Sequence, residues 1–187
     1  MAKVATKPNI VLLHGYAEIP EMYWLPWMHK RLEEAGYQVW APSLPDPLKP
    51  NLKKWLKATT AQAKTWDANT IVVAHSMGGV LTMRLLETVV KRRLRAVILV
   101  SSPFASTLKF DWFLTFFGRP FDWTRIKSRA KAFTIIQSAN DPIVPADHAL
   151  RYVERLDARL VATKSDGHFL GLSAPLIWRE LEKFLVL

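Results

Sequence analysis

Apolar positions fall into two recurring patterns along this chain. Short runs rich in β-branched residues, Ile10 to Leu13, Gln38 to Ala41, Ile71 to Val73, Ala96 to Val100, Phe133 to Ile136 and Leu160 to Ala162, predict strands. Several are continuous in hydrophobicity rather than alternating, as a strand covered on both faces must be, which predicts a parallel sheet flanked by helices. Between them apolar residues recur at helical spacing. Trp24 to Ala35 ends at Gly36, Asn51 to Trp66 follows Pro50, and Gly78 to Val90 carries Val80, Leu81, Leu85 and Val89; Ala146 to Leu156 and Pro175 to Leu185 complete the set. Strands alternating with helices of this length predict an α/β fold, a mostly parallel sheet of about six strands with right-handed crossovers, in one domain over residues 1–187.

One stretch breaks the alternation. Residues 104–130, FASTLKFDWFLTFFGRPFDWTRIKSRA, lie between two predicted strands and concentrate Phe104, Phe110, Trp112, Phe113, Phe116, Phe117, Phe121 and Trp123. Such rings pack a crossover segment onto the sheet or form a small lid over an apolar ligand, and both readings stand on sequence alone.

The totals narrow the class. A chain of 187 residues, half of them hydrophobic and 22% charged, is long enough to bury a sizeable core. Cysteine is absent, which removes disulfides, thiolate metal sites and a cysteine nucleophile, so a catalytic nucleophile must be an oxygen or an amine. MAKVATKPN carries no apolar stretch of signal-peptide length, and the aromatic run is too short and too charged to span a bilayer, so a cytoplasmic protein without a membrane span is expected. The net charge of +10 would suit anionic partners, but basic residues are spread from Lys3 to Lys183. The one dense cluster, Lys91, Arg92, Arg93 and Arg95, falls where a helix ends and favours positive charge anyway. No recognised module accompanies the charge, which argues against nucleic acid as a partner. A monomer is the expected state.

Candidate chemistry centres on IVVAHSMGG, residues 71–79, where an apolar run passes through Ser76 into helical sequence. A small-x-Ser-x-Gly pattern holds a serine on a strained strand-to-helix turn with its hydroxyl outward, and Ala74 and Gly78 supply the small neighbours. Alone the pattern is weak, because a serine in that place also caps helices. A nucleophilic serine needs a base and a carboxylate to orient it. QSANDPIVP puts Asp141 after the fifth predicted strand and KSDGHF puts His168 after the sixth, in the chain order serine, acid, histidine. Asp166 and Asp147 are the competing acids, and Asp141 has a competing role as an Asx turn before Pro142. His14, His29, His75 and His148 read as structural. Backbone N–H groups of Tyr16, in LLHGYAEIP, and of Met77 are placed to form an oxyanion hole, with Gly15 letting backbone pass close to substrate. Trp24, Trp27 and Trp55 suit the core, with Trp24 the one placed to reach the site mouth; Trp24, Phe104 and Trp112 complete the expected substrate contacts.

VLLHGY, AHSMGG, NDPIVP and DGHF together resemble the α/β-hydrolase superfamily over nearly the whole chain. HGYAEIPEMYWLPWMHKRLEEAGYQVWAPSLPDP is similar to the opening of its YdeN and retinoblastoma-binding protein 9 family of small serine hydrolases. That resemblance implies an α/β-hydrolase fold without a large cap, a Ser76, Asp141, His168 triad, and esterase-like activity on a small-molecule ester with no metal or organic cofactor. Ala74 stands where the motif more often has Gly. Thioester hydrolysis and acyl transfer would use the same residues, and an interaction protein with incidental catalysis is the alternative from another class.

Overall fold

The computed structural model describes residues 7–106 and 110–185. Six strands, β1 (Asn9–Leu13), β2 (Gln38–Trp40), β3 (Thr70–His75), β4 (Ala96–Val100), β5 (Phe133–Ser138) and β6 (Arg159–Thr163), form one sheet in the order β2-β1-β3-β4-β5-β6. Every neighbouring pair is parallel. The helices between them are α1 (Leu25–Glu34), α2 (Leu52–Gln62), α3 (Met77–Thr88), α4 (Leu114–Phe117), α5 (Trp123–Ser128), α6 (Asp147–Leu156) and α7 (Pro175–Glu182). Among the described residues no helix is long and apolar enough to cross a membrane.

Side chains alternate across each strand, so a strand covered on both faces needs apolar residues at every position. Val72 and Ala74 of β3 join Trp55 of α2, Leu81 and Leu85 of α3 and Tyr152 of α6 in one buried cluster. Ile71 and Val73 join Met28 and Leu32 of α1 and Ile177 and Leu181 of α7 in the other. Continuous hydrophobicity in the strands therefore reports two cores. Helix ends differ from the sequence reading in small ways. α2 stops at Gln62 rather than Trp66, because Ala63 turns extended and the Trp66 indole N–H donates to the Ala63 carbonyl at 2.9 Å.

Among its described residues the stretch from 104 to 130 is not one crossover helix; residues 107–109 lie outside the described residues. A 3₁₀ turn (Asp111–Phe113), α4 and α5 carry the chain from β4 to β5. Arg84 of α3, fully buried, fastens them. Its guanidinium donates to the carbonyls of Phe116 at 2.8 and 2.9 Å and of Arg119 at 2.6 Å, pairs with Glu87 at 2.8 Å, and lies 3.6 Å from the centre of the Phe121 ring. Glu87 in turn accepts from Arg119 and from the Asp122 N–H. A buried cation so fully paired is costly to strip of its partners, which ties residues 116–122 to α3. Part of the basic cluster is likewise spent on carbonyls: Arg93 on Ala130 and Arg95 on Phe184.

Candidate active site

Because all six strands run the same way, the loops after β1, β3, β5 and β6 open on one edge of the sheet, where ligands collect in this architecture. Ser76 follows β3 directly and has φ 50° and ψ −123°, a left-handed conformation that costs a non-glycine residue roughly 1–3 kcal/mol. The turn is held by the Ser76 N–H on the Val100 carbonyl at 2.9 Å and by the Ser102 hydroxyl on the Ser76 carbonyl at 3.1 Å. It also needs room. A Cβ at Gly78 would lie 2.6 Å from the carbonyl oxygens of Leu13 and His14, and one at Gly15 would lie 2.7 Å from the Ser76 Cβ. Ala74 is fully buried within β3.

Asp141 and His168 meet across the ends of β5 and β6. The His168 Nδ1 lies 2.9 and 3.0 Å from the two Asp141 carboxylate oxygens, and the carboxylate is out of contact with solvent. Burial pushes the Asp141 pKa up. The bond from His168 and the N–H groups of Val144 and Ile143 outweigh it and bring the value down to about 2, so Asp141 stays charged near neutrality. A charged acceptor on Nδ1 makes that nitrogen the donor and fixes which tautomer a neutral His168 adopts. Asn140 and Ser138 stitch the two loops together: the Asn140 Oδ1 accepts from the Ser138 hydroxyl at 2.7 Å and the Gly167 N–H at 2.9 Å, while the Ser138 oxygen accepts from the Asp166 N–H at 3.0 Å. Asp166 thus contributes its backbone, and Asp147 sits in the first turn of α6.

Ser76 and His168 line one cavity of about 240 Å³ together with Tyr16, Met77 and Glu18. Among the described residues no hydrogen bond joins the Ser76 hydroxyl to His168, whose Nε2 has no protein partner; such bonds often tighten only with substrate present. Met77 opens α3, where backbone N–H groups are unpaired and the helix dipole favours negative charge, and neither its N–H nor that of Tyr16 meets a protein acceptor among the described residues.

The residues expected to contact substrate do not line this cavity. Trp24 is 1% exposed and meets the His75 ring edge-on at 6.0 Å, beneath the site rather than at its mouth. Phe104 stacks on Trp123 at 4.9 Å under Arg151, and Trp112 stacks on Phe110 at 4.7 Å; neither reaches the cavity. Gly15 approaches Ser76 instead of lining the cavity, and its N–H donates to Glu18 Oε2 at 2.7 Å. Phe113, Phe117, Ile143 and Leu170 form the apolar wall in their place.

Sequence reasoning passed over Glu18, which is 5% exposed and pairs with His75 at 2.9 Å. Glu18, His75 and His168 bring metal-ligating atoms within 4.8 Å of one another. Both His75 nitrogens nonetheless face acceptors, the Glu18 carboxylate and the His168 carbonyl, and so present protons rather than lone pairs. The trio is thus a hydrogen-bonded Glu18–His75 pair beside the His168 imidazole.

Comparison with known proteins agrees with this architecture. YdeN of Bacillus subtilis is 33% identical over 182 residues, covering 94% of this chain and 95% of its own, and its crystal structure superposes with a TM-score of 0.88 at 31% identity over 95% of this chain and 98% of that one. The serine hydrolase RBBP9 of Rattus norvegicus is 32% identical over 167 residues, 88% of this chain and 87% of its own. The Pyrococcus furiosus esterase Pf2001 shares the fold at 19% identity, with a TM-score of 0.65 over 96% of this chain and 80% of that one. With the Serine hydrolase family matching residues 10–186, the chain belongs to that family and its fold is that of the α/β hydrolases.

Proposed function

We propose that this hydrolase cleaves carboxylic esters through an acyl-enzyme on Ser76. The observation that carries the reading is the Asp141–His168 pair, at 2.9 and 3.0 Å, opening on the same cavity as a serine held at φ 50°. Ser76 Oγ attacks the acyl carbon while its proton passes to His168 Nε2, and Asp141 holds the Nδ1–H and stabilises the imidazolium. The N–H groups of Tyr16 and Met77 receive the oxyanion. As the tetrahedral intermediate collapses, the leaving alkoxide takes the proton back from His168. Water, deprotonated by the same nitrogen, then attacks the acyl-enzyme, releases the acid and restores Ser76.

A cavity of about 240 Å³ walled by Phe113, Phe117, Ile143 and Leu170 suits a short to medium apolar acyl group. The family membership supports hydrolysis, and the esterase fold likeness supports an ester as the bond cleaved. Labelling with a fluorophosphonate probe tests the nucleophile: the intact protein is expected to be modified and Ser76→Ala to stay unmodified. Equal labelling of the two, or none in folded protein, refutes the reading. A panel of p-nitrophenyl esters of graded chain length then measures the acyl preference.

A further inference from the structure

Of the buried histidines, His75 has no part in the reaction above, yet it is the most completely engaged. Its side chain is 1% exposed. Nδ1 lies 2.9 Å from Glu18 and Nε2 lies 2.8 Å from the backbone carbonyl of His168. Glu18, held below its ordinary value by His75 and the Gly15 N–H, is a carboxylate, and a carboxylate and a carbonyl only accept; each ring nitrogen then carries a hydrogen and His75 is an imidazolium. His14 provides the contrast within the same site: its Nε2 accepts the Leu44 N–H at 3.1 Å, which leaves Nδ1–H to donate to the Gly15 carbonyl and makes His14 neutral. Burial pushes the His75 pKa down, and Glu18 outweighs it and raises the value. Burial likewise pushes Glu18 up, and His75 outweighs that and lowers it.

The pair reaches three loops at once. Glu18 accepts the Gly15 N–H at 2.7 Å, and Gly15 packs against the Ser76 Cβ. His75 is the residue before Ser76. His168 follows β6, and its ring stands 4.9 Å from that of His75. We infer that Glu18 and His75 are positioning residues, a charged brace in which the His75 imidazolium grips the His168 backbone and sets the height of its ring above Ser76. This rests on the proposed role of His168 as base.

The brace has a built-in limit at alkaline pH. Once His75 loses a proton, one nitrogen presents a lone pair either to the Glu18 carboxylate or to the His168 carbonyl, and one of the two contacts must break. The groups facing His75 are Glu18 from the loop after β1, the His168 carbonyl from the loop after β6 and, at longer range, Asp141 and His14; Trp24 meets it with an uncharged ring. None can replace the lost donor.

The test uses the rate of fluorophosphonate labelling and the kcat for a p-nitrophenyl ester, each across pH 5 to 10. Wild type is expected to decline on the alkaline side. Glu18→Gln keeps the shape: its oxygen can accept the Gly15 N–H and its amide can donate to a neutral His75, which retains Nε2–H for His168. That variant is expected to lose less than about tenfold in kcat near pH 7 and to lose the alkaline decline. Glu18→Ala removes the brace and should lower kcat on the order of 10–100-fold, the cost of misplacing a catalytic group by about an ångström. An alkaline decline unchanged in Glu18→Gln overturns the inference, and so does labelling of Glu18→Ala within twofold of wild type at every pH. Failure of wild type to label at Ser76 overturns the catalytic reading instead, so the two failures are distinguishable. Should Glu18→Ala not fold, the Glu18→Gln profile decides alone.

Discussion

Two carboxylate–imidazole pairs flank Ser76, and they differ in what the second ring nitrogen does. In the loops after β5 and β6, Asp141 holds His168 through Nδ1 and leaves Nε2 without a protein partner at the cavity wall. Across the ends of β1 and β3, Glu18 holds His75 through Nδ1 while Nε2 is already given to the His168 carbonyl. On the proposed function, the same chemical couple serves as a base in one place and as a fixed cation in the other. Sequence cannot separate them by residue type; the partner of the far nitrogen decides.

The sharpest way to break this contrast is to delete the free nitrogen. His168→Ala is expected to lower kcat by roughly 10⁴–10⁶-fold with the urea unfolding midpoint little changed, far beyond any loss from the brace. A loss under 100-fold would put the two histidines on a par and dissolve the distinction. Next in size, Asp141→Asn is expected to cost roughly 10⁴-fold in kcat, because the amide can impose the wrong tautomer on His168. Asp166→Asn, which leaves the Ser138 contact to the Asp166 backbone intact, should stay within a fewfold of wild type. Equal losses for the two would move the acid to Asp166.

These two pairs were not equally legible beforehand. That Asp141 and His168 would meet was legible because each stands alone just past an apolar strand, and strand ends on a parallel sheet share one edge. Ser76 was legible from its small neighbours. The Glu18–His75 pair was not, since the two lie 57 residues apart, and nothing local marks a loop glutamate as buried. Among the aromatics the difficulty was register. Phe113, which ends the 3₁₀ turn, and Phe117, which ends α4, both line the cavity, whereas Phe116 turns inward to meet Trp55 at 5.3 Å. Arg84 holds the carbonyls of Phe116 and Arg119 at the end of α4, a tertiary contact that periodicity does not carry. Trp24 admits two readings from sequence, core or site mouth, and the structure packs it in the core against His75.

A smaller effect isolates the wall from both pairs. Phe117→Ala enlarges the cavity without touching either imidazole, so it is expected to shift the ratio of kcat/KM values for longer over shorter acyl esters by about tenfold while the pH profile keeps its shape. An altered profile with unchanged chain-length preference would mean that the ring supports the loops rather than bounding the substrate.

The smallest expected effect is on stability, and it separates the pairs by sign. Asp141 in the folded protein titrates at about 2, below its ordinary value of 3.8, so it contributes stability that is complete above the ordinary value and is lost as pH falls through the folded one. Glu18, also lowered, adds to that acid loss. His75 is raised above 6.5 in the folded state, so its contribution is complete below that value and disappears as pH rises through the folded one. Urea midpoints measured from pH 2 to 10 should therefore fall at both ends, with Asp141→Asn softening the acid fall alone and Glu18→Gln softening the alkaline fall alone. An alkaline fall that survives Glu18→Gln would mean that His75 is neutral in the folded protein, and the couple behind Ser76 would then be a hydrogen bond without charge.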